Sequence, residues 1–300
     1  MTGHDVTVYE SLANSGDDRR WAFGTGFEDP LAGVDMSVPS GVDGADLAAY
    51  ATMLGDDALI ASQRVAEWIT RLPELEVETA IANVALDLLG QARMLFARAC
   101  GADGSGRGED DLAYLRDAHD WHNVCFVEGP DADFAGLVMR LALFATWRLA
   151  VFSRLRDSTD PILAAIAAKA AKELTYHRDF AAQWVVSLGD GTEHSHQRVQ
   201  AALDALWPLV EELFLSSPVE RRLQAVAVDP VLAREEFEDV VGRILEAATL
   251  RCPGPPGGGQ HDGGQHGGGQ GGRDGKHSEH LAALLDEMQS VARAHPGATW

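Results

Sequence analysis

Two pairs of residues stand at the spacing metal chemistry uses, with the wrong side chains for it. Leu88 and Gln91 are three apart, and so are Leu174 and His177. On a helix, residues i and i+3 share a face. A Glu-x-x-His pair from each of two helices, with a carboxylate from each of two more, would hold two iron ions inside a bundle, because such cations need several anionic oxygens plus imidazoles. Here the first pair is an alkyl group and a neutral amide, and the second keeps only its imidazole. Glu173 lies i, i+4 from His177, placed to hydrogen-bond it from the flank, and Asp87 and Gln91 are placed to bond each other or a facing helix. From Phe134 to Arg156 there is no Asp or Glu at all. Without an acid from that stretch the cluster cannot be assembled, so the positions Leu88, Gln91, Leu174 and His177 read as a degenerate metal site. His177 then reads as a hydrogen-bonded core histidine. No catalytic residue and no metal ligand is assigned to this chain.

Other chemistry-bearing groups have plainer readings. The adjacent Asp56 and Asp57 read as a solvated or arginine-paired face, with Arg64 nearby. His261 and His266 sit in a glycine-rich run that cannot preorganise a metal site. His277 and His280, with Glu279, open the last helix, where a solvated first turn outweighs a surface ion site. There is no phosphate loop, no zinc spacing and no Ser-His-Asp arrangement.

The elements that must position these residues follow from apolar periodicity. A first helix over 46–70 carries Leu47, Tyr50, Leu54, Ala58, Val65 and Trp68 on one stripe, ended by Pro73. A second over 76–100 turns Ile81, Val84, Leu88, Ala92 and Leu95 inward. A third spans 132–157, and Asp160-Pro161 caps and starts a fourth over 161–188. Thr192 caps a fifth, which Pro208 kinks or ends. Asp229-Pro230 repeats the cap-and-proline device for a sixth, and 277–294 makes a last, short one. No alternating strand pattern competes. The expected architecture is all-α: a long-helix bundle over 45–252 with additional C-terminal helices. Residues 1–44, with 8 acidic and 2 basic side chains, read as a disordered acidic tail, and 253–275, with 12 Gly and 3 Pro, as a flexible linker. Residues 276–300 then pack back on the bundle.

Charge and composition narrow the partners. The chain of 300 residues has 46 acidic against 24 basic side chains, a net −22. That disfavours nucleic acid and anionic membrane. The most apolar stretch, 134–156, is broken by Arg140, Arg148 and Arg154. No secretory signal is visible, and three cysteines without a CxxC give no disulfide framework. A cytoplasmic location is expected.

The segments LGDDALIASQRVAEW (54–68), PELEVETAIANVALDLLGQAR (73–93), RDAHDWHNVCFVEGPDADFA (116–135), IAAKAAKELTYHRDFAAQW (166–184), LGDGTEHS (188–195) and KHSEHLAALLDEMQ (276–289) carry a stronger signal. Together they resemble the C-subunit family of the phenylacetyl-CoA 1,2-epoxidases, the ring-epoxidising multicomponent oxygenases of phenylacetate degradation. The resemblance implies a ferritin-like fold and a heterodimer with a related catalytic A-subunit that binds the di-iron centre. In that paralogue the corresponding stretches read D-E-x-G-H and E-x-x-H; here they are Asp87-Leu88-Leu89-Gly90-Gln91 and Leu174-Thr175-Tyr176-His177. It further implies a non-catalytic, structural role without a cofactor of its own, a small bridging subunit, and a flavin and iron–sulfur reductase drawing on NADPH. Substrate contacts, by the same resemblance, would come from Asp120, Trp121, His122 and Asn123, and from Val219, Glu220 and Arg221. Trp121 would stack on an adenine, or else anchor the core or an interface, and Arg221 would meet a CoA phosphate. Two other readings stay open: a metal-dependent oxidase using His177, Glu173, Asp87 and an acid of the first helix, and a self-associating ferritin-like binding protein.

Overall fold

The computed structural model describes residues 31, 33–72, 74–254, 271–296 and 298, and Val34–Trp300 form one compact unit. Nine α-helices and several 3-10 turns, with no strand, make up the described residues. The all-α long-helix bundle expected from periodicity is the observed fold, consistent with the ferritin-like bundle that the resemblance implies.

Four long helices form the bundle: α1 (Gly44–Ala66), α2 (Leu75–Asp103), α4 (Phe134–Leu155) and α5 (Pro161–Gly189). Helix α1 packs along α2, α4 packs along α5, and α2 meets α5 across the bundle. Helix α4 is buried nearly all round, which is why its sequence is apolar on every face rather than striped. Both α2 and α4 are long and apolar enough to cross a membrane; in α4, 83% of the most apolar window is buried inside the protein. Apolarity in α4 is therefore accounted for by the core.

Capping follows the sequence. Asp43, Asp133, Asp160 and Thr192 each accept hydrogen bonds from backbone N–H groups in the first turn of the helix that follows. Helix α6 (Glu193–Val210) lies on α4 and α5 and carries Pro208 in its last turn before the chain tightens into a 3-10 turn, Glu211–Phe214. The sixth expected helix opens with a 3-10 turn, Pro230–Ala233, and becomes α8 (Arg234–Ala247). Two short helices, α3 (Glu109–Tyr114) and α7 (Pro218–Arg222), fill the connections. The first helix ends at Ala66, before Pro73, which lies outside the described residues.

The C-terminal helix α9 (Glu279–Ala294) buries Leu281, Leu284 and Leu285 and packs on α3. Its Gln289 donates to the carbonyls of Ala113 and Arg116, and its Arg293 donates to the Arg116 carbonyl. Two segments read as unstructured are firmer than their composition suggested. At the end of the 1–44 stretch, the carbonyls of Met36 and Ser37 accept from the fully buried Arg98. At the end of 253–275, Gly272–Asp274 form a 3-10 turn packed into the body of the protein. A side chain at Gly272 would put its Cβ 1.9 Å from the Asn123 carbonyl oxygen, so only glycine permits this approach. His261 and His266 lie outside the described residues.

Candidate functional site

The four degenerate positions are all fully buried at the seam between α2, α4 and α5. Leu88 and Leu174 contribute apolar packing. Gln91 Nε2 donates to Glu173 Oε2 at 3.0 Å, and His177 Nε2 stands 3.0 Å from Asp87 Oδ2. Both Asp87 and Gln91 thus bond the facing helix. Glu173 does not serve His177 from the flank; it pairs with Lys169 and Gln91, because the imidazole points across the seam to α2.

The centre of the seam holds Arg148 of α4, with no solvent exposure. Its Nε donates to Gln91 Oε1 at 3.1 Å, its Nη2 donates to the Leu54 carbonyl at 3.2 Å, and its Nη1 lies 3.9 Å from Asp57 Oδ2. Burial pulls its pKa down to about 10, against the opposing pull of Asp57, so it remains a cation at neutral pH. Stacking over Phe152, 4.2 Å from the ring centre, further accommodates that charge. A protonated guanidinium at this point, a neutral amide at Gln91 and no acid on α4 do not fit a di-iron centre. Arg148 puts a fixed positive charge among these positions, and the nearest carboxylates are already paired: Glu173 with Gln91 and Lys169, Asp87 with His177, and Asp57 with Arg273.

The acids of α1 are committed elsewhere. Asp56 and Asp57 are fully buried, not solvated, and Arg64 is not their partner. Asp56 takes a two-pronged contact from Arg116 and the backbone N–H of His122 at 2.9 Å. Asp57 takes both Nη groups of Arg273, at 3.0 and 2.7 Å, and the Val124 N–H at 2.9 Å. Arg64 instead bonds Glu67 and the carbonyls of Glu128 and His280. Two adjacent carboxylates therefore hold the segment 116–124, irregular apart from the 3-10 turn Ala118–Asp120, and the returning chain at 273.

That segment contains the first group of expected substrate contacts. Asp120 is exposed and His122 half-buried. Trp121 has no exposed surface and lies under the Arg116 guanidinium, 4.3 Å from its ring centre, so within this chain it is an anchor with no face to offer an adenine. Asn123 is buried and donates to Glu128 Oε1 and the Val124 carbonyl. In the second group, Val219 is half-buried and Arg221 exposed, donating to the Ser216 carbonyl. Glu220 is buried and accepts from the Ser217 N–H; burial raises its pKa. Of these seven residues, Asp120, His122, Val219 and Arg221 keep surface a ligand could touch.

Sequence reasoning missed Glu128 and Arg273. Glu128 is fully buried, and its carboxylate accepts from Asn123 Nδ2, His277 Nδ1, Ser278 N and Ser278 Oγ, all within 2.9 Å. His277 is accordingly no solvated first-turn residue: its other ring nitrogen is 2.8 Å from the Trp121 carbonyl. Both ring nitrogens face acceptors, which is the pattern of an imidazolium. Burial works to lower its pKa, but the Glu128 and Trp121 contacts outweigh burial and raise it. For Glu128, burial raises and the His277 and Ser278 hydrogen bonds lower, with a net fall. Arg273 was the one cation within a stretch of 12 glycines, a signal that could have marked it as an anchor.

A long-helix bundle with Arg148 bonded to Gln91 in its interior is a ferritin-like fold whose seam residues do not fit a di-iron centre. The profile of the family described as phenylacetic acid catabolic protein matches residues 38–300. The C-subunit of the 1,2-phenylacetyl-CoA epoxidase of Escherichia coli (strain K12) is 41% identical over 256 residues, covering 85% of this chain and 99% of that protein. The chain belongs to the phenylacetic acid catabolic protein family.

Proposed function

We propose that the chain is the non-catalytic structural subunit of a phenylacetyl-CoA 1,2-epoxidase. It pairs with a paralogous catalytic A-subunit whose bundle carries the di-iron centre, and it stabilises that partner in its working form. The reaction of the assembly is the insertion of one oxygen atom from O2 into the aromatic ring of phenylacetyl-CoA. The iron in the partner supplies the oxygen activation; this chain's residues hold their own bundle rigid and shape the shared face. A small bridging subunit and a flavin and iron–sulfur reductase complete the system, and acyl-CoA lies near that face. The assembly works in the cytoplasm.

The observation that supports this reading best is Arg148. A buried guanidinium bonded to Gln91 is chemically opposed to a pair of iron ions, which supports assigning the redox work to a partner chain. The likeness to the C-subunit of a named epoxidase, nearly full length in both proteins, supplies the reaction.

Co-expression with a paralogue that keeps both Glu-x-x-His pairs tests the proposal. The two chains are expected to co-purify at one-to-one stoichiometry, and phenylacetyl-CoA turnover with the reductase is expected to require both. Turnover by the paralogue at full rate without this chain would overturn the structural role.

A further inference from the structure

Cys125, Glu128 and His277 offer a thiol sulfur, a carboxylate oxygen and a ring nitrogen that all lie within 4.8 Å of one another. They come from two segments far apart in sequence, the 3-10 turn Cys125–Val127 with the residue after it, and the chain entering α9. We propose that these three side chains form a zinc-class divalent metal site that pins residues 276–278 to the 125–128 turn. The proposal is independent of the pairing with a catalytic partner.

The donor set is the first argument. Sulfur, imidazole nitrogen and carboxylate oxygen together suit zinc, with metal–ligand bonds of about 2.0–2.3 Å. Ligand atoms at such bonds stand roughly 3.3–3.6 Å apart. The His277–Glu128 contact, at 2.6 Å, opens slightly, and Cys125 Sγ swings inward.

The surrounding hydrogen bonds are the second argument, and they are a separate observation. Ligating histidines are ordinarily oriented by donation from the other ring nitrogen to a carbonyl or carboxylate. His277 Nε2 is set to donate to the Trp121 carbonyl at 2.8 Å, which aims Nδ1 at Glu128. The second Glu128 oxygen is fixed by Ser278 N at 2.7 Å and Ser278 Oγ at 2.6 Å, leaving the first toward the triangle. Cys125 Sγ is already turned to the incoming chain, 3.2 Å from the Lys276 carbonyl, and its backbone N–H is tied to Glu212. The His277 ring and the Glu128 carboxylate are held from behind, and Cys125 is held through its backbone, its Sγ reaching the site by a side-chain rotation.

The chemistry balances without an oxidant or reductant. A divalent cation takes the place of the proton between Nδ1 and Oε1, and the thiol gives up its own proton. Imidazolium, thiol, carboxylate and M²⁺ become a neutral metal complex plus two protons. Without the metal, burial and the neighbouring Glu212 and Glu128 push the Cys125 pKa up; a bound cation reverses that field.

Cobalt(II) titration of the full-length, chelator-treated chain is the test. The expected result is a thiolate-to-cobalt absorption band in the near ultraviolet saturating at one equivalent, displaced by zinc. Cys125→Ser should abolish the band, while Cys100→Ser and Cys252→Ser keep it. Calorimetry of the parent chain in two buffers should show proton release on zinc binding, a readout that needs no variant. Absence of the band at one equivalent, its survival in Cys125→Ser, or zinc binding without proton release would each overturn the site.

Discussion

The seam between α2, α4 and α5 and the corner where 116–128 meets 271–278 both bury charge, and they do so in different ways. At the corner the buried carboxylates are satisfied: Glu128 accepts four hydrogen bonds, and Asp57 accepts from Arg273 and Val124. Glu212 adds three more, from the N–H groups of Cys125, Phe126 and Gly272. At the seam Arg148 Nη1 and His177 Nδ1 are buried without a hydrogen-bond partner; the corner leaves Trp121 Nε1, His122 Nδ1 and Asn123 Oδ1 in the same condition, so the difference lies in the buried carboxylates and the backbone groups they hold. Side chains inside regular helix need only a tolerable filling, because the backbone behind them is already paired, whereas irregular chain inside a protein needs a partner for each backbone group. The corner therefore carries the larger energetic commitment.

The largest expected effect is at Asp57. Replacing it with alanine leaves Arg273 buried without its carboxylate and removes the partner of the Val124 N–H. Urea unfolding should lose about 3–5 kcal/mol, with faster amide exchange over 271–278. A loss under about 1 kcal/mol would erase the contrast between the two regions.

Gly272→Ala comes next. Its Cβ would sit 1.9 Å from a backbone oxygen, and neither strand of chain can yield without breaking the Glu212 contacts. The expected cost is about 1–3 kcal/mol, read as a lowered melting temperature. An unchanged melt would mean that the 271–275 turn is not seated as described.

A pH scan sharpens the comparison further. The raised His277 contributes stability that is complete below the ordinary histidine range and is lost as pH rises through its raised value. The lowered Glu128 contributes above the ordinary glutamate range and loses it as pH falls through its depressed value. Asp56 adds to the field that favours the imidazolium. In chelator-treated protein, exchange protection over 276–281, corrected for intrinsic rates, should peak between those limits, and monotonic protection would contradict the ion pair. The smallest effect is expected at the seam: Arg148→Met with Gln91→Leu should shift stability by less than about 1.5 kcal/mol. A loss beyond about 3 kcal/mol would place the seam on a par with the corner.

The bundle was legible because its signals are local. Stripes at steps of three and four, Asp160-Pro161 and Thr192 mark helices and their starts without reference to anything distant. That Leu88, Gln91 and Leu174 carry neither carboxylate nor imidazole was legible by residue type alone. What filled the gap was not, because Arg148 reads as an interruption of an apolar run until its partners on α1 and α2 are known. Asp56 and Asp57 misled for the same reason: an acidic pair on a chain of net −22 looks solvated, and its cations, Arg116 and Arg273, lie 60 and 216 residues away. Composition also overrode position at Gly272 and Arg273, where glycine marks a tight approach rather than freedom.

The central claim is that this bundle interior binds no pair of irons. Iron content per chain, measured on full-length protein expressed alone and reconstituted with ferrous iron under anaerobic conditions, addresses it directly. The expected result is no pair of tightly held irons and no absorption or Mössbauer signature of a coupled di-iron centre, with the paralogue carrying both when the two are expressed together. Two irons per chain lodged among α1, α2, α4 and α5 would contradict it.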